Sequence, residues 1–178
     1  MRWILMFAFV GLASPSISAH RSTTMLLKPD RLGPVEVGMS VSQAEAALKA
    51  KLRVDYPDAN PEGVGCGFAT RVDRRDAAIA YMVEDGKITR IDVDTPKKPS
   101  AYDHKIVSER GIGIGSTEIQ IRRAYQKAAQ FDPHPYAEGH YVTIEGPKFS
   151  VLFETEHGKV TTFRSGLNQS VQYIEGCL

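Results

Sequence analysis

The stretch VGMSVSQAEAAL, residues 37–48, returns in altered form as IGSTEIQIRRAY, residues 114–125. A chain that writes the same strand, glycine and helix start twice is constrained to build one module twice. Gly115 follows Gly38 by 77 positions, and at that offset Val35 falls on Ile112, Val37 on Ile114 and Ser40 on Thr117. Gln43 and Gln120 stand three residues after Ser40 and Thr117, the spacing of a capping box in both copies. Ala44, Ala47 and Leu48 correspond to Ile121, Ala124 and Tyr125, an i, i+3, i+4 stripe that gives each helix one apolar face. Glycine between the strand and the cap suits a turn where φ must be positive.

A second echo follows in the same order. IAYMVEDGKITRI, residues 79–91, aligns with VLFETEHGKVTTF, residues 151–163, now at an offset of 72. Ile79, Tyr81 and Val83 alternate with their neighbours as a strand does, and Asp85-Gly86 and His157-Gly158 mark the hairpin turns. Each unit therefore reads as a short strand, a helix and an antiparallel meander. Unit one offers strands at 64–72, 77–84 and 87–94; unit two offers 140–145, 149–155, 159–164 and a closing strand at 170–175. The expected class is α+β, with two tandem helix-on-antiparallel-sheet repeats. The expected divisions are a signal peptide at 1–19, a flexible leader at 20–31, repeat one at 32–95, a connector at 96–110 and repeat two at 111–178.

The leader sets the compartment. Met1-Arg2 is a short basic start, Trp3–Ala13 is uncharged and apolar, and the small residues before His20 offer a cleavage point near Ala19. That order is a secretory signal, too short to be a spanning anchor, and it predicts a periplasmic or secreted product. No apolar run after residue 19 reaches spanning length, so no transmembrane anchor is expected after cleavage. Cleavage removes Arg2 from 22 basic residues and leaves all 21 acidic ones, a formal charge of zero. With no long basic run, nucleic acid is not an expected partner. Cys66 and Cys177, an even pair in an exported chain, predict a disulfide. Closing a loop of about 110 residues contributes roughly 4–5 kcal/mol in the chain-entropy treatment.

These elements resemble the module of the β-lactamase inhibitor protein fold, which the outer-membrane assembly lipoprotein BamE carries once. The tail VQYIEGC, with PHPYAEGHYVTI and FETEHGKVTTFRSG, is also similar to a group of uncharacterised exported proteobacterial proteins. The resemblance covers roughly residues 32–175. It implies a protein that binds other proteins through its sheet and loops and performs no chemistry.

The segment FDPHPYAEGHY, residues 131–141, is the richest in functional side chains. Asp132, His134 and His140 are possible metal ligands, but two histidines six apart match neither a helical face nor a zinc-site spacing. Tyr136 and Tyr141 are the aromatic types that anchor protein interfaces. The sequence GIGIGSTEIQ lacks both nucleotide-binding spacings, and no G-x-S-x-G occurs. Glu154, Glu156 and Glu175 read as charges alternating along an exposed sheet. The expectation is a non-enzymatic binding module of inhibitor, immunity or envelope-adaptor type, without cofactor, whose partner is another envelope or extracellular protein. Its candidate binding residues are Asp132, His134, Tyr136, His140 and Tyr141. The alternatives are a metal-dependent envelope enzyme using the His134–His140 loop and a small-molecule carrier using the sheet.

Overall fold

A computed structural model describes residues 24–56, 65–96 and 105–177; the signal segment 1–19 and its cleavage point lie outside the described residues. In chain order the elements are β1 (Thr24–Lys28), β2 (Arg31–Leu32), β3 (Val35–Glu36), α1 (Val41–Leu48), β4 (Leu52–Asp55), β5 (Cys66–Arg71), β6 (Ile79–Glu84) and β7 (Lys87–Val93). Then follow β8 (Lys105–Ser108), α2 (Glu118–Tyr125), a 3-10 turn at Gln126–Ala128, β9 (Ala129–Pro133), β10 (His140–Ile144), β11 (Phe149–Glu156), β12 (Lys159–Leu167) and α3 (Asn168–Val171).

The two helix starts fold alike. Ser40 Oγ accepts from Gln43 N at 3.2 Å while Gln43 Oε1 accepts from Ser40 N at 2.8 Å. Thr117 Oγ1 and Gln120 do the same at 3.3 and 2.7 Å. Ahead of each cap, Gly38 N donates to Ile88 O at 2.7 Å and Gly115 N to Val160 O at 2.8 Å. Both glycines have positive φ, 98° and 82°, which a side chain rarely adopts. The turns Asp85-Gly86 and His157-Gly158 have positive φ at both central positions, as a type I′ hairpin requires.

The large sheet has eight strands in the order β4-β5-β6-β7-β12-β11-β10-β9, with every neighbouring pair antiparallel. β7 and β12 join its two halves, with Phe163 opposite Val93 and Ser165 opposite Ile91. A second sheet, β3-β2-β1-β8, lies alongside. Leu27, Leu32 and Val35 from this sheet, Ala44 from α1 and Ile121 from α2 share one core with Tyr81, Ile91, Phe153 and Phe163 of the large sheet. Phe153 and Phe163 stack with centroids 5.8 Å apart. Full burial of each contributes about 2–3 kcal/mol.

This architecture corrects the α+β expectation: the described residues form twelve strands and only three short helices, so the fold is β-rich. The capped starts do nucleate helices, but each stops after eight residues, at the left-handed Lys49 in one copy and at Gln126, φ 52°, in the other. Each fully buries one residue, Ala44 or Ile121, so neither helix can cover a half-sheet. Much of the cover comes from segments in which the sequence suggested no element. Within 20–31 lie β1 and the first residue of β2, Arg31, and 96–110 holds β8, which pairs with β1 in parallel from Thr24 opposite Lys105. The expected closing strand at 170–175 is instead the end of α3 followed by turns.

Candidate functional site

Strand alternation gives the large sheet two faces. One carries the core. The other carries Phe68, Met82, Arg90, Asp92, Tyr141, Leu152, Glu154 and Arg164, since these residues stand opposite one another in the pairing registers. Residues 168–177 lie across this second face as a strap. Val171 is fully buried with Tyr141 and Leu152.

Two buried arginines hold the strap by its backbone. Arg90 Nη1 donates to Ser170 O at 2.8 Å and Tyr173 O at 2.9 Å, and Arg164 Nε donates to Val171 O at 2.8 Å. Ser170 Oγ donates to Glu84 Oε2 at 2.6 Å. The carboxylates that balance the arginines are close: Asp92 lies 3.0 Å from Arg90 Nε, and Glu154 Oε2 lies 3.7 Å from Arg164 Nη1. Burial pushes the Asp92 carboxyl above its ordinary range against the pull of Arg90, and burial beside Arg90 lowers Arg164. The strap ends at a covalent pin, the Cys66–Cys177 disulfide, with Cα atoms 5.1 Å apart across a sequence separation of 111. The cysteine pairing read from the sequence is therefore present.

The segment 132–141 is the β9–β10 hairpin, held from both sides. His134 N donates to Gly139 O at 3.0 Å and His157 N to Glu138 O at 2.7 Å. Gly139 sits so close to the Thr155 carbonyl that a Cβ would fall 1.8 Å from its oxygen. His134 is buried and stacks on Tyr141 with centroids 4.5 Å apart. Its Nδ1 accepts from Tyr136 N at 3.0 Å, which leaves the proton on Nε2 to be donated to Glu154 Oε1 at 2.9 Å. His140 turns to the opposite face, where its Nδ1 meets Glu118 Oε1 of α2 at 2.8 Å beside Thr155 Oγ1.

The five candidate residues are thus sorted by the sheet. Asp132 is exposed opposite Tyr141 in the β9–β10 register. Tyr141 is only 7% exposed and is spent on the interior. His134 and His140 are six residues apart and are committed to different carboxylates on different faces. Among the described residues no group of three His, Cys, Asp or Glu converges as a metal set would. Of the two tyrosines Tyr136 is the one that projects, 71% exposed. It is nevertheless fixed, by its N–H on His134 and by Tyr136 Oη donating to Glu175 Oε1 at 2.8 Å. That bond to a carboxylate raises the phenol's ionisation above the ordinary tyrosine range. Beside Glu175, Ile174 of the strap is 45% exposed.

Sequence reasoning missed Arg90, Arg164 and the strap they hold. The signal available was an arginine at the centre of each of two alternating runs, ITRIDV and TTFRSG, where a buried face requires a partner for the charge. On the core side, Leu27, Tyr125, Ile144, Phe149 and Val151 line a small cleft of about 140 Å³. Arg110 stands at that cleft with its guanidinium 5.6 Å from the Tyr125 ring centroid.

No family model and no curated protein matches the chain. Among solved structures, the crystal structure of the uncharacterized protein yfeY from Escherichia coli aligns at 18% sequence identity and a TM-score of 0.49, covering 79% of this chain and 99% of that one.

Proposed function

We propose that the chain is a non-enzymatic protein-binding module acting outside the cytoplasm, and that it docks its partner through the Tyr136 hairpin and the adjoining C-terminal strap. The observation that carries this reading is an aromatic side chain 71% exposed yet tied down at both its backbone and its hydroxyl. A large apolar ring held in place before binding costs little entropy to immobilise, which is the property of an interface anchor. Ile174 of the strap is a second exposed apolar side chain, and the disulfide supports an oxidising compartment. The earlier resemblance to an inhibitor-like module pointed to the same mode of action. No observation favours the enzyme alternative, because its two histidines face away from each other.

The test is capture from an envelope extract with the mature, disulfide-bonded protein. A specific partner should be retained by the parent chain and by Val72→Ala, which alters an exposed apolar residue elsewhere, 60% exposed. Retention should be lost in Tyr136→Ala. Capture equal across all three proteins would overturn the reading.

A further inference from the structure

The chain shows, inside itself, how it holds an arginine. On the strap face Arg164 lies with its guanidinium carbon 5.8 Å from the Tyr141 ring centroid and its Nη1 3.7 Å from Glu154 Oε2. An aromatic ring and a carboxylate together take one cation: the ring quadrupole attracts it and the carboxylate neutralises it. A few residues away, the same pair of groups is offered to solvent. Tyr136 is 71% exposed, and its ring meets His134 in a T-shaped contact at 6.2 Å. Glu175, an exposed residue, accepts the Tyr136 phenol on Oε1, and this bond fixes the carboxylate beside the ring.

The two segments that form the site carry only acidic charge, and the arginines beneath the strap, Arg90 and Arg164, are paired with Asp92 and Glu154. Segment 132–141 holds Asp132 and Glu138, segment 168–177 holds Glu175, and neither contains a lysine or arginine. Ile174, next to Glu175 in the chain, is an exposed apolar side chain of the kind that the methylenes of a long basic side chain cover. A guanidinium fits better than an ammonium, because its plane can stack on the ring while its fork reaches the carboxylate.

Resting on the docking role proposed above, we infer that Tyr136 and Glu175 form a cation-recognition site, and that the partner enters it with an arginine side chain. The partner's contact surface is therefore basic.

The inference is tested with capped tetra-arginine and tetra-glutamate peptides titrated into the isotope-labelled, disulfide-bonded chain, following backbone amide shifts. Tetra-arginine at millimolar concentration should produce saturable shifts at Tyr136 and Glu175, and tetra-glutamate none. Tyr136→Ala should abolish the response, and Glu175→Gln, which keeps a hydrogen-bond acceptor but removes the charge, should weaken it about fivefold. Equal shifts with both peptides, no saturation, or an unchanged Glu175→Gln titration would overturn the site. The outcome separates from that of the docking reading. A captured partner that depends on Tyr136 but not on Glu175 leaves the docking surface and removes the cation site. A tetra-arginine site in a chain whose capture ignores Tyr136 does the reverse.

Discussion

Tyr136 and Glu175 are 39 positions apart in the chain and are joined by a 2.8 Å hydrogen bond from the phenol to the carboxylate. This bond ties the tip of the β9–β10 hairpin to the strap, whose end the Cys66–Cys177 disulfide fixes to β5. Beneath it a second route links the same two parts, from His134 through Glu154 to Arg164 and the carbonyl of Val171. The surface assigned to binding is thus built from two segments that meet only in the folded state.

Removing the disulfide should destabilise the fold without abolishing it. The strap keeps its bonds from Arg90 and Arg164 and the burial of Val171, so Cys66→Ser with Cys177→Ser should cost about the 4–5 kcal/mol that the loop length sets. Urea unfolding of the double variant measures this. An unchanged midpoint would mean that the tail is not clamped as described.

The two tyrosines of the hairpin should behave differently. Tyr141 is buried beneath His134 and against Leu152 and Val171, so Tyr141→Ala should cost about 3 kcal/mol of stability. Tyr136→Ala should leave the urea midpoint nearly unchanged, since the ring is exposed. Equal stability losses would contradict the assignment of one to the interior and the other to the surface.

The acid side of the stability profile should depend on Glu118. Burial pushes this carboxyl up, but the hydrogen bonds from Thr155 and His140 outweigh it and hold the group below the ordinary glutamate range. A carboxyl lowered on folding contributes stability that is present above its unfolded pKa and is lost as pH falls through its folded one. Glu118→Gln should therefore flatten the fall in stability below about pH 4.5. Asp92, raised by burial, carries the opposite sign: it favours folding at low pH, and that contribution is lost as pH rises through its folded value. Urea midpoints of the parent, Glu118→Gln and Asp92→Asn across pH 3–7 check both signs, and a Glu118→Gln profile parallel to the parent's would contradict the first.

The paired caps offer a comparison within one molecule. Ser40→Ala and Thr117→Ala each remove the oxygen that accepts from the third helical amide, and each should cost about 1 kcal/mol. Similar losses by thermal or urea unfolding are expected from equivalent geometry; a negligible loss at either site would show that its box does not support the fold.

Apart from the Cys66–Cys177 pair, what could be read in advance was local. Ser40 with Gln43, Thr117 with Gln120, and the Asp85-Gly86 and His157-Gly158 turns each contain their whole signal within four residues, and each stands as read. The pairing of β1 with β8 joins Thr24 to Lys105, and no short-range pattern encodes a parallel partner so distant. Hence the second sheet was missed and the two-turn helices were given more of the cover than they supply. The same applies at the site. The residue types of 132–141 marked the hairpin, but the opposed directions of His134 and His140 follow from the β9–β10 register and the turn between the strands. Arg90 and Arg164 became intelligible only with the strap carbonyls in place.

The most direct test of the binding role is the affinity of the captured partner for the parent chain and for Tyr136→Ala, measured by titration calorimetry. Truncating an anchoring aromatic should weaken binding by about 1–2 kcal/mol, roughly 5- to 30-fold, with the fold unchanged by circular dichroism. An identical affinity for the two proteins would contradict the assignment of Tyr136 as the anchor and of the hairpin–strap surface as the place of binding.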